Sequence, residues 1–170
     1  MKQLTKKEIK KTFKKLKRSK DMILILENIQ YARNVASIFR TADAAGVMKI
    51  FLTGISHKPP FGKDLVKASR HKEKVIPWEY NTSTGNVIQK LKKNGYTVIA
   101  IEITDFSIPH SRLEQEIKGN RKVAFIAGSE VYGITRKTLE KCDLSVHIPM
   151  IGKGRSLNVT TSVGIILFCI

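Results

Sequence analysis

MILILENIQYARNVASIFRTADAAGVMKIFL, residues 22–52, is the stretch that decides the fold. It opens with Met22–Leu26, an uninterrupted apolar run of strand length. From Tyr31 to Ala45 the pattern changes: Val35, Ile38, Phe39 and Ala42 recur with helical spacing, and Gly46 supplies the stop. Lys49–Leu52 then reads as a second strand. A strand, a helix and a strand in immediate succession form a crossover unit, the connection that parallel strands require.

Outward from this unit the alternation continues. Lys63–Arg70 reads as a short helix, and Val75–Trp78 as a weak edge strand, demoted by Pro77. Ser83–Lys93 is a helix ended by Asn94-Gly95, Tyr96–Ile103 a strong strand, Ser111–Lys118 a helix and Lys122–Ala127 a strand. Ile134–Lys141 is a helix, Leu144–Ile148 a strand, and an apolar helix starts at about Asn158. Strands separated by helices predict an α/β fold, a mostly parallel sheet with helices on both faces. No internal repeat appears, and no linker follows residue 21, so residues 21–170 read as one domain.

Residues 1–20 are different. They hold ten Lys or Arg against one Glu. Thr5 to Glu8 reads as a capping box, and Ile9, Phe13 and Leu16 share one helical face. A short basic N-terminal helix is expected, offering cations to a polyanion or docking its apolar stripe on the domain. The whole chain of 170 residues carries a net charge of +17, from 31 Lys and Arg against 14 Asp and Glu. Such an imbalance points to nucleic acid as partner, with an anionic membrane surface as the weaker reading. No apolar run is long enough to span a bilayer, and the N-terminus lacks a secretory pattern. Cys142 and Cys169, far apart, look like reduced thiols of an intracellular, cytoplasmic protein. No His or Cys pair has metal-ligand spacing, so no metal is expected.

In an open parallel sheet, ligands bind beyond the carboxyl ends of the strands. The first such loop, Glu27–Asn34, contains no glycine, which counts strongly against a dinucleotide. Gly152–Ser156 lacks the spacing of a nucleoside triphosphate loop. Three signals remain. Asn34 and Arg40 lie on the helix after the first strand. Ala127–Gly133, AGSEVYG, joins a strand to a helix, and its glycines would let backbone amides approach a ligand. Ile148–Gly152 leads into Ser156-Leu157-Asn158-Val159. Singly, each has a plain structural reading: Arg40 as a surface ion-pair partner, Glu130 as a dipole-favoured helix residue, Asn158 as a cap.

Together and in this order they resemble the SpoU (TrmH-like) family of RNA ribose methyltransferases, within the SPOUT superfamily. The resemblance runs from about residue 22 to 170 on three motifs: NIQYARNVASIFRTADAAG (28–46), GSEVYGI (128–134) and IPMIGKGRSLNVTTSVGIILF (148–168). It implies a C-terminal trefoil knot, S-adenosylmethionine bound in a bent shape by the knotted loops, and a homodimer with sites shared between chains. It further implies catalytic roles for Arg40, Asn34, Glu130, Ser156 and Asn158. Backbone contacts to cofactor are implied at Gly128, Ile148 and Leu157, and Glu102 is a weaker cofactor-edge candidate. The expected reaction is methyl transfer to a ribose 2′-hydroxyl of tRNA or rRNA, tRNA favoured. The alternatives are the same fold methylating another RNA atom, or a non-catalytic RNA-binding protein. The chain departs from the family at Arg70-His71-Lys72, where many relatives carry small residues, and at Lys153 and Arg155 beside the cofactor loop. It also has little beyond its last helix.

Overall fold

Every residue of β1 (Asp21–Glu27) beyond the first is buried, because the strand has a covered face on either side. Its alternate residues enter two separate cores. Leu24 and Leu26 join Ile50, Leu52, Val123 and Phe125 on one face. Ile23 and Ile25 join Phe51, Val98, Ala124 and Ile126 on the other. This is the pattern of a central parallel strand, and it explains why Met22–Leu26 is apolar throughout instead of alternating. The computed structural model describes residues 2–13 and 20–170.

The remaining elements are α1 (Lys6–Phe13), α2 (Ala32–Ala45), β2 (Lys49–Thr53), α3 (Lys63–Ser69), β3 (Trp78–Asn81) and α4 (Thr84–Lys93). They continue with β4 (Thr97–Ile101), β5 (Ile108–Pro109), α5 (Leu113–Glu116), β6 (Lys122–Ala127), α6 (Arg136–Leu139), β7 (Leu144–His147) and α7 (Val159–Leu167). The strands form one sheet in the order β3-β2-β1-β6-β4-β7-β5, and every pairing is parallel. The α/β expectation holds, with helices on both faces. The strand order reverses between β1 and β6, which opens the crevice where α/β sheets hold ligands.

Local chemistry sets the boundaries. Gly46 closes α2 in the left-handed conformation (φ 78°). Ser83 Oγ accepts the Asn86 amide at 3.3 Å and caps α4, and Asn158 Oδ1 accepts the Thr160 amide at 2.8 Å and caps α7. The edge strand is displaced from its expected place. Val75 and Ile76 close a 3₁₀ turn by donating to the Lys72 carbonyl, and pairing begins only after Pro77. Pro77 contributes what a proline can, its carbonyl, which accepts the Ile50 amide at 3.0 Å. The expected helix at 111–118 is a 3₁₀ turn, His110–Arg112, followed by the single turn α5. The expected helix at 134–141 shrinks to α6.

α1 forms with its capping box: Glu8 Oε2 accepts from the Thr5 amide at 2.7 Å and from Thr5 Oγ1 at 2.8 Å. It buries no residue, and Ile9 and Phe13 are exposed; Leu16 lies outside the described residues. α7 packs against α2, where Gly164 lies close to Thr41. Residues 148–158 therefore carry the chain from β7 back past β4 and β6 to the β1 side. Among the described residues no helix is long and apolar enough to cross a membrane, and no cluster of ligating side chains suits a metal. Both cysteines are free, and burial pushes the Cys142 thiol up to about 12, which leaves it inert.

Candidate active site

The loops after β1 and β6 flank the crevice, and a carboxylate joins them. Glu130 Oε1 accepts from Asn34 Nδ2 at 2.7 Å and from the Tyr31 amide at 3.4 Å, while Oε2 accepts from the Gln30 amide at 3.1 Å. Glu130 thus sits at a helix N-terminus, where the dipole favours an anion, but the helix is α2 and not the one following it in sequence. A carboxylate can only accept, so it fixes the Asn34 amide with Nδ2 toward Glu130 and Oδ1 away. Asn34 Oδ1 in turn accepts from Asn158 Nδ2 at 3.4 Å, and Asn158 Oδ1 faces the Thr160 amide. A directed chain of side chains thereby links segments about a hundred residues apart.

Beside this chain lies a cleft of about 760 Å³ over the carboxyl ends of β6, β4 and β7. That volume suits a ligand of nucleoside size. Gly128, Glu102, Ile148, Leu157, Glu130, Ser156 and Asn158 all line it. Ile101, Ile148 and Leu157 supply apolar wall for a flat ring, and polar groups stand around them. Ser156 is exposed at the rim. Arg40 is not among the lining residues. It is exposed on α2, six residues past Asn34, about 9 Å along the helix axis.

Two residues expected to meet the cofactor also hold the neighbouring loop in place. Gly128 lines the cleft and also leaves room for the backbone opposite it. A Cβ there would lie 2.3 Å from the Gly133 carbonyl carbon and 2.4 Å from the Ile134 nitrogen, so its bareness lets the loop fold on itself. Ser129 and Gly133 then exchange both backbone hydrogen bonds, at 3.0 and 2.9 Å. Glu102 is as much a strut as an edge of the cleft. Its Oε2 accepts the Ile134 amide at 3.0 Å, and its Oε1 accepts the Ile103 amide at 3.0 Å.

One important residue carried no role in the sequence reading. Glu27, at the end of β1, is 3% exposed. Its carboxylate accepts from the Thr135 amide at 3.0 Å and from Thr138 Oγ1 at 2.6 Å. It fastens the far end of the 128–135 loop to the sheet. A Glu closing an otherwise apolar strand was the available signal.

Comparison with known proteins fits this geometry. Residues 21–168 match the model of the SpoU rRNA methylase family. The chain belongs to that family. Among curated relatives, a Staphylococcus saprophyticus protein named as a TrmH family tRNA/rRNA methyltransferase is 31% identical over 149 residues, covering 86% of this chain and 56% of its own length. The tRNA (guanosine(18)-2′-O)-methyltransferase of Aquifex aeolicus is 28% identical, covering 89% of this chain and 69% of the relative. The chain thus spans little more than half the length of some relatives. Among solved structures, the TrmH/SpoU tRNA modifying enzyme of A. aeolicus superposes with a TM-score of 0.78 at 25% identity, over 90% of this chain and 75% of that one. An AdoMet-bound rRNA methyltransferase from Sinorhizobium meliloti does so with a TM-score of 0.78 at 26% identity, over 89% and 56%. SpoU membership makes the chain's fold that of an RNA methyltransferase.

Proposed function

We propose that this SpoU-family chain transfers a methyl group from S-adenosylmethionine to a ribose 2′-hydroxyl of structured RNA, tRNA in preference to rRNA. The observation that carries this reading is the Glu130–Asn34–Asn158 chain beside the cleft, because it joins all three family motifs at one place. The 2′-oxygen as acceptor is supported by the A. aeolicus tRNA enzyme. The cleft fits the cofactor in volume and in its mixture of apolar wall and polar rim. When bound, the cofactor supplies an already activated sulfonium methyl, so the protein's task is to place and deprotonate the hydroxyl.

The working unit is a cytoplasmic homodimer in which Arg40 serves the partner's cleft. This accounts for a family-matched arginine that is exposed and lies outside its own cleft. Free guanidinium is a poor base. Arg40 acts with an RNA phosphate that takes the proton, or as a fixed cation beside the developing oxyanion. Asn34 and Asn158 hold the ribose edge, Ser156 contributes at the rim, and Glu130 orients Asn34. The return of residues 148–158 to α2 supports a threaded, knotted C-terminal segment. Residues 1–20 serve as a basic arm ahead of the catalytic domain, 21–170.

The test uses S-adenosylmethionine labelled in its methyl group, with tRNA and ribosomal RNA lacking modifications. The label should enter tRNA and make one phosphodiester resistant to alkali, as a 2′-O-methyl does. Label on a base would assign another RNA atom. Tight RNA binding without cofactor binding in calorimetry would leave a non-catalytic RNA-binding protein.

A further inference from the structure

His147 closes β7 and lines the cleft, yet it belongs to none of the groups discussed above. Its Nδ1 lies 2.9 Å from Ser107 Oγ. The same hydroxyl oxygen lies 2.8 Å from the Thr104 carbonyl oxygen and accepts the Thr104 amide at 3.1 Å. A carbonyl oxygen has no proton to give, so two oxygens at that separation need the serine's proton between them. With its only proton so committed, Ser107 can do nothing but accept from the imidazole. Nδ1 therefore carries hydrogen, and in the neutral ring Nε2 is a bare acceptor.

The surroundings reinforce this arrangement. The Ser107 amide also donates to the Thr104 carbonyl, at 3.2 Å, which makes 104–107 a closed turn. β5 follows at once and pairs Pro109 opposite His147, so the strand ladder holds the two partners in register. Nε2 has no protein partner among the described residues, and it is not sealed from solvent. The neighbouring lining residues Ile101, Val146 and Ile148 are apolar, which suits a nucleoside better than a charged amino-acid end. A histidine that only filled space would not need its tautomer fixed at a cleft wall.

We propose that His147 is a specificity residue for the cofactor: its Nε2 accepts a hydrogen bond from an N–H or O–H donor of the adenosine moiety, and Ser107 holds the ring in the accepting tautomer. The inference rests on the S-adenosylmethionine reading of the cleft. The adenosine offers two kinds of donor, the 6-amino group and the ribose hydroxyls, and analogues separate them.

The first measurement needs no ligand. Long-range proton–nitrogen correlation on the free protein should show His147 with hydrogen on Nδ1, and Ser107→Ala should shift it toward the common Nε2–H form. Calorimetry with S-adenosylhomocysteine should then show roughly tenfold weaker binding for His147→Phe, the size of one good hydrogen bond. Ser107→Ala should lose a smaller part, and thermal melts of both variants should match the parent. With the parent protein, the inosine analogue should bind about tenfold more weakly if the 6-amino group is the donor, and the deoxyribose analogue if a hydroxyl is. That analogue's penalty should vanish in His147→Phe. Hydrogen on Nε2 in the free parent protein, or equal affinity of parent and His147→Phe, would overturn the proposal. Failure of the parent itself to bind S-adenosylhomocysteine would instead remove the cofactor reading beneath it.

Discussion

A side chain as small as a methyl group is enough to test the site at the scale of single residues. The atoms nearest a Cβ at position 128 are backbone, which cannot swing aside as a side chain can. Gly128→Ala should therefore cost roughly 1–3 kcal/mol, the usual range for overpacking, and read out as a lower melting temperature with cofactor affinity lost alongside. Unchanged melting with lost affinity would make ligand approach the sole role of Gly128. Arg40 should behave in the opposite way, because it is exposed. Arg40→Ala should keep its melting temperature and its cofactor affinity while turnover falls by about 10²–10³, the range for removing one transition-state contact. Lysine should rescue poorly, since it lacks the planar fork. Near-parental turnover in Arg40→Ala would take the residue off the catalytic list.

Among the elements, the least regular one reports most. α6 was expected to begin at Ile134, but the amides of Ile134 and Thr135 are held by Glu102 and Glu27 from the ends of β4 and β1. Removing the second clamp tests how much the loop depends on it. Glu27→Ala leaves the Thr135 amide without an acceptor and the Thr138 hydroxyl with only Thr135 Oγ1 as partner, and should cost about 1–3 kcal/mol in a denaturant titration. Glu27→Gln, which still offers one acceptor, should lose less; an unchanged midpoint for the alanine variant would show the clamp to be dispensable. The same clamp marks the limit of what the sequence discloses. β6 is legible residue for residue, and α2 nearly so, because periodicity and caps are local signals. The short α6 and the two-residue β5 depend on partners distant in the chain, and no window of sequence contains them. The site divides likewise. The order of the motifs announced Asn34, Glu130 and Asn158 as a group, but their donor–acceptor direction, and the distance of Arg40 from the cleft, required coordinates.

For the whole molecule, the proposed dimer and the basic arm make separable predictions. If Arg40 serves the partner's cleft, an inactive Arg40→Ala chain mixed with an inactive Leu157→Asp chain should regain part of the parental activity, because one hybrid site keeps both residues. A fully active monomer would refute shared sites. Charge and exposure together mark the arm. Residues 1–20 hold nine of the seventeen net positive charges, and α1 buries none of its residues. Its apolar residues Ile9 and Phe13 remain 39% and 59% exposed, too open to contribute much to the core. Each RNA phosphate neutralised should add roughly 0.7–0.9 to the steepness of the salt dependence of binding. Deleting residues 1–20 should therefore flatten that dependence and raise the KM for RNA. The kcat at saturating RNA should stay near parental, because affinity shared equally by ground and transition states does not lower the chemical barrier. The melting temperature and the cofactor affinity should not move. A large fall in melting temperature with an unchanged salt slope would instead make the helix a structural element, docked on the domain through Ile9 and Phe13.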